Sequence, residues 1–190
     1  MSKGIFCLET EWDFKSHKLK DKTTIEPMLE FMKHRNDMDF VHRRVATKSE
    51  LIFYLQQLRK ATFNKYEIVY LSFHGQTQHI FLEGEKKQEN TVSLMELADI
   101  ANGAFINKFV HFSTCRTFLG SEIELEAFKN KTGARLVSGY TRSVDYTLSS
   151  FMDIAYFNEI NNTSVKFNTI VNRIDKLYSG LKQELGFKIL

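Results

Sequence analysis

Apolar positions along this chain follow two alternating rhythms. Short, nearly continuous runs over 4–8, 67–73, 108–114 and 135–139, and an alternating run over 39–46, have the length and the β-branched or aromatic content of strands. Between them the apolar residues recur at helical spacing. Ile25, Met28, Leu29 and Met32 mark a helix over 24–34, with Thr24 as its cap and Pro27 in its first turn. Leu51, Ile52, Leu55 and Leu58 share one face of a helix over 48–62, and further helices are predicted over 91–100 and over 121–129, the last closed near Gly133. The polar stretch 9–22 reads as a loop, and the glycine-interrupted stretch 76–90 as a hairpin or loop. From Thr147 onward the chain is helical, with Phe151, Ile154, Ala155 and Phe157 in one segment and Phe167, Ile170, Val171, Ile174 and Leu177 in the next.

Strands that alternate with helices predict a mainly parallel sheet covered on both faces, an α/β three-layer αβα sandwich. At 190 residues the chain suffices for one domain over 1–190, with 161–190 as a C-terminal helix packed on it. No internal repeat or low-complexity stretch interrupts this reading.

Composition narrows the function classes. A net charge of +3, with the basic residues scattered among 23 acids, lacks the basic stripe of a nucleic-acid binder. No apolar run approaches the roughly 20 residues that span a membrane, and the apolar run before Glu9 is too short for a signal-peptide core. Two cysteines do not make a disulfide framework, so a cytoplasmic protein with free thiols is expected. Phosphate-binding glycine loops are missing from the sequence, which weighs against nucleotide hydrolysis and dinucleotide binding, and no cofactor is implied.

The chemistry gathers at two strand ends, Ile68-Val69-Tyr70-Leu71-Ser72-Phe73-His74-Gly75 and Phe109-Val110-His111-Phe112-Ser113-Thr114-Cys115. In a parallel sheet the crevice lies at the carboxyl ends of the strands, and neighbouring strands are about 4.8 Å apart. His74 and Cys115 are therefore expected to meet a common substrate, as a base and a nucleophile must. Gly75 has no side chain, which allows its N–H, with that of Cys115, to approach a developing oxyanion. Cys7, inside an apolar run, is read as a packed thiol, and His79 and His111 as structural. A metal site from His74, His79 and Cys115 lacks the paired close spacings of zinc ligands, and none is predicted.

The two segments resemble those of the caspase-like cysteine peptidases of clan CD: caspases, metacaspases, separase, gingipains, clostripain and the bacterial CHAT domains. The resemblance extends over roughly 4–160 and is closest to the compact bacterial members. It implies a caspase-haemoglobinase fold and a cysteine endopeptidase in which His74 is the catalytic histidine, Gly75 the oxyanion glycine and Cys115 the nucleophile. It also implies that Ser138, Gly139 and Tyr140, in Val137-Ser138-Gly139-Tyr140-Thr141-Arg142, hold substrate backbone in extended form. Ser-Thr-Cys-Arg-Thr departs from the Gln-Ala-Cys-Arg-Gly signature of animal caspases, so aspartate specificity does not carry over. The acids Glu9, Glu11 and Asp13, and Asp145 after the fifth strand, instead suggest cleavage after Arg or Lys with Asp13 or Asp145 as the pocket acid. Arg142 keeps an acidic substrate as the alternative. The partners implied are a protein or peptide substrate and an activating protein. Two other classes fit the same pattern: a catalytically silent caspase-like adaptor or assembly module, and a flavodoxin-like signalling domain.

Overall fold

The computed structural model of this chain describes residues 2–12, 23–86, 89–162 and 166–190. In chain order it begins with β1 (Ile5–Thr10), α1 (Glu26–Asn36), β2 (Phe40–Val45), α2 (Lys48–Leu58) and β3 (Ile68–Ser72). A small hairpin of β4 (His74–Gln76) and β5 (His79–Phe81) leads to β6 (Thr91–Ser93) and α3 (Leu94–Ala101). Then come β7 (Phe109–Ser113), α4 (Glu122–Thr132), β8 (Leu136–Tyr140), α5 (Tyr146–Asn162), α6 (Phe167–Leu185) and β9 (Phe187–Ile189).

Six strands form one sheet in the order β2-β1-β3-β7-β8-β9, and β4, β5 and β6 form a separate antiparallel sheet. The large sheet is parallel except for β9, which runs antiparallel to β8. Strand residues alternate between its two faces. Phe6, Leu8, Val69, Leu71, Val110 and Phe112 pack under α2, α3 and α4. Ile5, Cys7, Ile68, Tyr70 and Phe109 face α1, α5 and α6. The architecture is therefore a mixed α/β fold with helices on both faces of a mostly parallel sheet.

Four local expectations differ from what folds. β1 continues to Thr10, so Glu9 belongs to a fully buried strand and not to a polar loop. Thr91–Ser93 is a strand: it pairs with β5 through Ile80 and Val92, and the Ser93 side chain then accepts the N–H of Glu96 to start α3. The segment after 161 holds a strand as well as a helix, because β9 closes the edge of the sheet beside β8. α5 is rotated relative to its expected apolar face: Met152, Asp153, Tyr156, Phe157 and Ile160 are buried, while Phe151 is exposed.

Candidate active site

Alternation carries one polar row across the carboxyl ends of three strands. Glu9 is the register partner of Ser72, and Ser72 of Ser113. All three continue the face that Cys7, Tyr70 and His111 occupy lower down, toward α1 and α5. A pocket of about 230 Å³ opens at this row, lined by His74, Cys115, Ser72 and Ser113 at the strand ends, by Trp12, and by the first turn of α5.

His74 enters the pocket from the start of β4, and its exposed ring meets Trp12 edge-on at 4.7 Å between centroids. Cys115 follows β7 and is half-buried. Its Sγ accepts the N–H of Val144 at 3.4 Å. The chain turns sharply after it, with Arg116 in the left-handed region at φ 59°. That turn sends the loop back along β8, where Arg116 and Phe118 donate their N–H groups to the carbonyls of Arg142 and Tyr140.

The two loops that carry His74 and Cys115 are fastened to each other. Gln78 N–H donates to the Thr117 carbonyl, and the Thr117 hydroxyl donates to the His79 carbonyl. At Gly75 the approach is closest: a Cβ there would lie 2.8 Å from the Cys115 carbonyl oxygen and 2.5 Å from Thr117 Oγ1. Only glycine leaves room for that contact.

Two buried carboxylates back the pocket. Glu9 accepts from Trp12 Nε1 at 2.6 Å, Thr24 Oγ1 at 2.7 Å and Ile25 N at 2.8 Å, and is paired with His42 Nε2 at 2.7 Å. Burial alone raises its pKa, yet these four partners outweigh burial and hold it below the ordinary glutamate value. Asp153, on α5, accepts from Tyr70 Oη at 2.6 Å, Ser113 Oγ at 2.8 Å and Tyr140 Oη, and pairs with His111 Nε2 at 2.6 Å. Here too burial works upward and is overcome, first by the His111 imidazole and then by the two phenols, so the carboxyl stays below its usual range. The same burial, together with the charge on Asp153, pushes the Tyr70 and Tyr140 phenols up. Burial pushes the Cys7 thiol up as well, with Glu9 and Asp153 adding to it, which leaves Cys7 an inert core residue.

Of the residues expected to act, His74, Gly75 and Cys115 are brought together. Ser138, Gly139 and Tyr140 lie elsewhere, inside the sheet. β8 is paired with β7 on one side and β9 on the other, so no open edge remains there for an extended peptide. Ser138 Oγ contacts His111 Nδ1, Tyr140 Oη meets Asp153, and Gly139 makes room for the Phe118 ring, which a Cβ would approach to 2.5 Å. Asp145 is exposed and starts α5, its Oδ1 accepting the N–H groups of Thr147 and Leu148. Asp13 is outside the described residues. Sequence reasoning counted Glu9 among the acids of a loop and did not single out Asp153, so the burial of both, and the place of Trp12 in the pocket wall, were missed. A carboxylate two residues after Cys7 in an apolar run, and another amid Phe151, Ile154 and Phe157, were the available signals of buried, partnered acids.

Among the described residues no group of three or more His, Cys, Asp or Glu is placed to hold a metal ion, and no helix is long and apolar enough to cross a membrane. Over residues 2–190 the sequence matches the model of a family of unknown function, DUF6642. The chain belongs to that family. No curated protein matches it. Family membership therefore assigns no chemistry to His74 and Cys115, and a function must be argued from the pocket.

Proposed function

We propose that this chain is a cysteine endopeptidase of caspase-like kind. The observation that carries the proposal is the shared pocket: a histidine and a half-buried cysteine, on loops fastened through Gly75 and Thr117, line one cavity at adjacent strand ends. Neighbouring parallel strands with their carboxyl ends at a crevice are where an α/β sheet places its chemistry. The caspase-haemoglobinase resemblance of the two segments is compatible with the sheet order and with the antiparallel hairpin that begins at His74.

In this mechanism Cys115 Sγ gives its proton to His74 and forms a C–S bond to the peptide carbonyl carbon. The carbonyl oxygen takes the negative charge and is met by the N–H groups of Gly75 and Cys115, donors of a kind worth about 3 kcal/mol each in the transition state. As the C–N bond breaks, His74 returns the proton to the leaving amine. Water, deprotonated by His74, then attacks the acyl-thioester, breaks the C–S bond and releases the new carboxyl terminus while the thiol regains its proton.

Incubation with peptidyl acyloxymethyl ketones of varied side chain under reducing conditions tests this reading. The expected outcome is one covalent adduct by intact mass, absent from Cys115→Ala and reduced at least about a hundredfold in rate in His74→Ala. An unlabelled wild-type protein across the panel overturns the proposal in favour of the catalytically silent module, and labelling that survives Cys115→Ala overturns it in favour of a different nucleophile.

A further inference from the structure

We infer that Trp12 is the positioning residue of the His74 base: its indole, anchored on the buried Glu9 carboxylate, holds the imidazole in a fixed orientation beside the cavity that Cys115 lines. The inference goes beyond the proposed function and rests on it in one respect, that His74 moves the proton of Cys115.

A dyad base works when its ring is held in one orientation, usually by a hydrogen-bonded third group. His74 needs such a hold, because it stands exposed at the start of a three-residue strand and the torsion that turns an imidazole has broad wells. The carboxylates around the pocket do not supply it. Asp153 is occupied by Tyr70, His111, Ser113 and Tyr140, and Glu9 by Trp12, Thr24, Ile25 and His42. Asp145 accepts from the first turn of α5. Among the described residues the His74 ring has one ring or polar partner, the Trp12 indole, at 4.7 Å between centroids and 88° between planes. That is the edge-to-face geometry in which aromatic rings attract.

Trp12 can serve because it is itself anchored. Its one polar side-chain hydrogen is donated to Glu9 Oε1 at 2.6 Å, a bond strengthened by the negative charge of the acceptor. Glu9 is fully buried at the end of β1 and, despite that burial, its pKa lies below the ordinary glutamate value, so the anchor is charged. Glu9 is also the register partner of Ser72, two residues before His74, which sets the Trp12 turn beside the start of β4. A ring contact fixes the imidazole and leaves both of its nitrogens free to take the thiol proton and return it.

Trp12 is the one tryptophan of the chain, and a protonated imidazole in contact with an indole quenches its emission. Emission of the parent, followed from about pH 8 to about pH 5, is expected to fall as histidine protonates, and most of that fall to be missing in His74→Ala. His42, which reaches Glu9 from β2 with Glu26 of α1 beside it, is the other titrating group near Trp12 and accounts for what remains. In ketone labelling, Trp12→Leu keeps apolar bulk without a ring and is expected to slow Cys115 about tenfold, the scale of one aromatic contact. Trp12→Phe restores an aromatic edge and is expected to return to within about threefold of the parent. Equal labelling of all three proteins overturns the inference. An equal loss in both variants makes the indole a filler of the wall and overturns it as well, as does an acid quench that survives His74→Ala undiminished. If no ketone labels the parent, the peptidase reading falls alone, and the quench still decides whether Trp12 holds His74.

Discussion

At Gly75 one hydrogen atom stands where any other residue would place a carbon, between the histidine loop and the cysteine loop. The missing Cβ has backbone as well as side chain for neighbours, the Cys115 carbonyl and Thr117 Oγ1 among them, so rotamer changes alone cannot make space. Gly75→Ala is expected to cost about 1–3 kcal/mol in urea unfolding, the usual scale of overpacking. It should also slow ketone labelling of Cys115 more than the stability loss explains, because the displaced group is the cysteine's own peptide. Unchanged stability together with unchanged labelling would show that the two loops do not need their close approach. The importance of Gly75 was visible in the sequence from its place after His74, whereas the identity of its neighbour was not. The approach depends on the left-handed turn at Arg116, which no residue type announces.

Among the elements, β1 and the start of α1 are joined by a single side chain. Glu9 leaves the end of the strand and takes the Ile25 N–H and the Thr24 hydroxyl at the entrance to the helix, with Trp12 and His42 as its other partners. A glutamine there keeps one acceptor oxygen and turns two hydrogens toward groups that already donate. Glu9→Gln is therefore expected to lose about 2–4 kcal/mol at neutral pH. The pH dependence has a definite sign. A carboxylate whose folded pKa is depressed contributes stability that is complete above its unfolded value, about 4.3, and is lost as pH falls through the folded value. Urea midpoints measured from about pH 7 down to about pH 3 should thus converge between parent and variant as the pH falls. Parallel curves would mean that Glu9 is not held ionised by these partners.

The same element shows where sequence reading stops. The strand pattern located β1, β2, β3, β7 and β8 to within two residues, since continuous apolar runs betray buried strands and the alternating run of β2 betrays a half-buried edge strand. It ended β1 early, because a glutamate signals solvent unless its four partners are known, and those lie as far away in sequence as His42. Asp153 was missed for the same reason: its donors come from β3, β7 and β8, and only the assembled sheet brings Tyr70, His111, Ser113 and Tyr140 to one carboxylate. Phe187–Ile189 was too short to register as a strand without its partner β8.

Over the whole molecule, β9 closes an edge that would otherwise carry the unpaired backbone of β8. Leu190 and Val137 exchange both of their backbone hydrogen bonds, and Thr141 N–H donates to the Gly186 carbonyl. Removing residues 187–190 exposes a buried, apolar strand to intermolecular pairing. Such a shortened chain is expected to elute as aggregates in size-exclusion chromatography, and addition of a charged residue on β8 to be no remedy, since both faces of that strand are covered. A monodisperse, cooperatively unfolding truncated chain would show β9 to be dispensable.

The position of β9 also sets an order of events during synthesis. The loop that presents Val144 to Cys115 leaves β8 and is held at its root by Gly186 and Glu184, which accept from Thr141 and Arg142. A ribosome delivers His74 and Cys115 long before those anchoring residues emerge. A partly synthesised chain therefore carries both residues before the loop that brings Val144 to Cys115 has its anchors at Glu184 and Gly186, so that under the proposed function the thiol precedes the secured wall beside it.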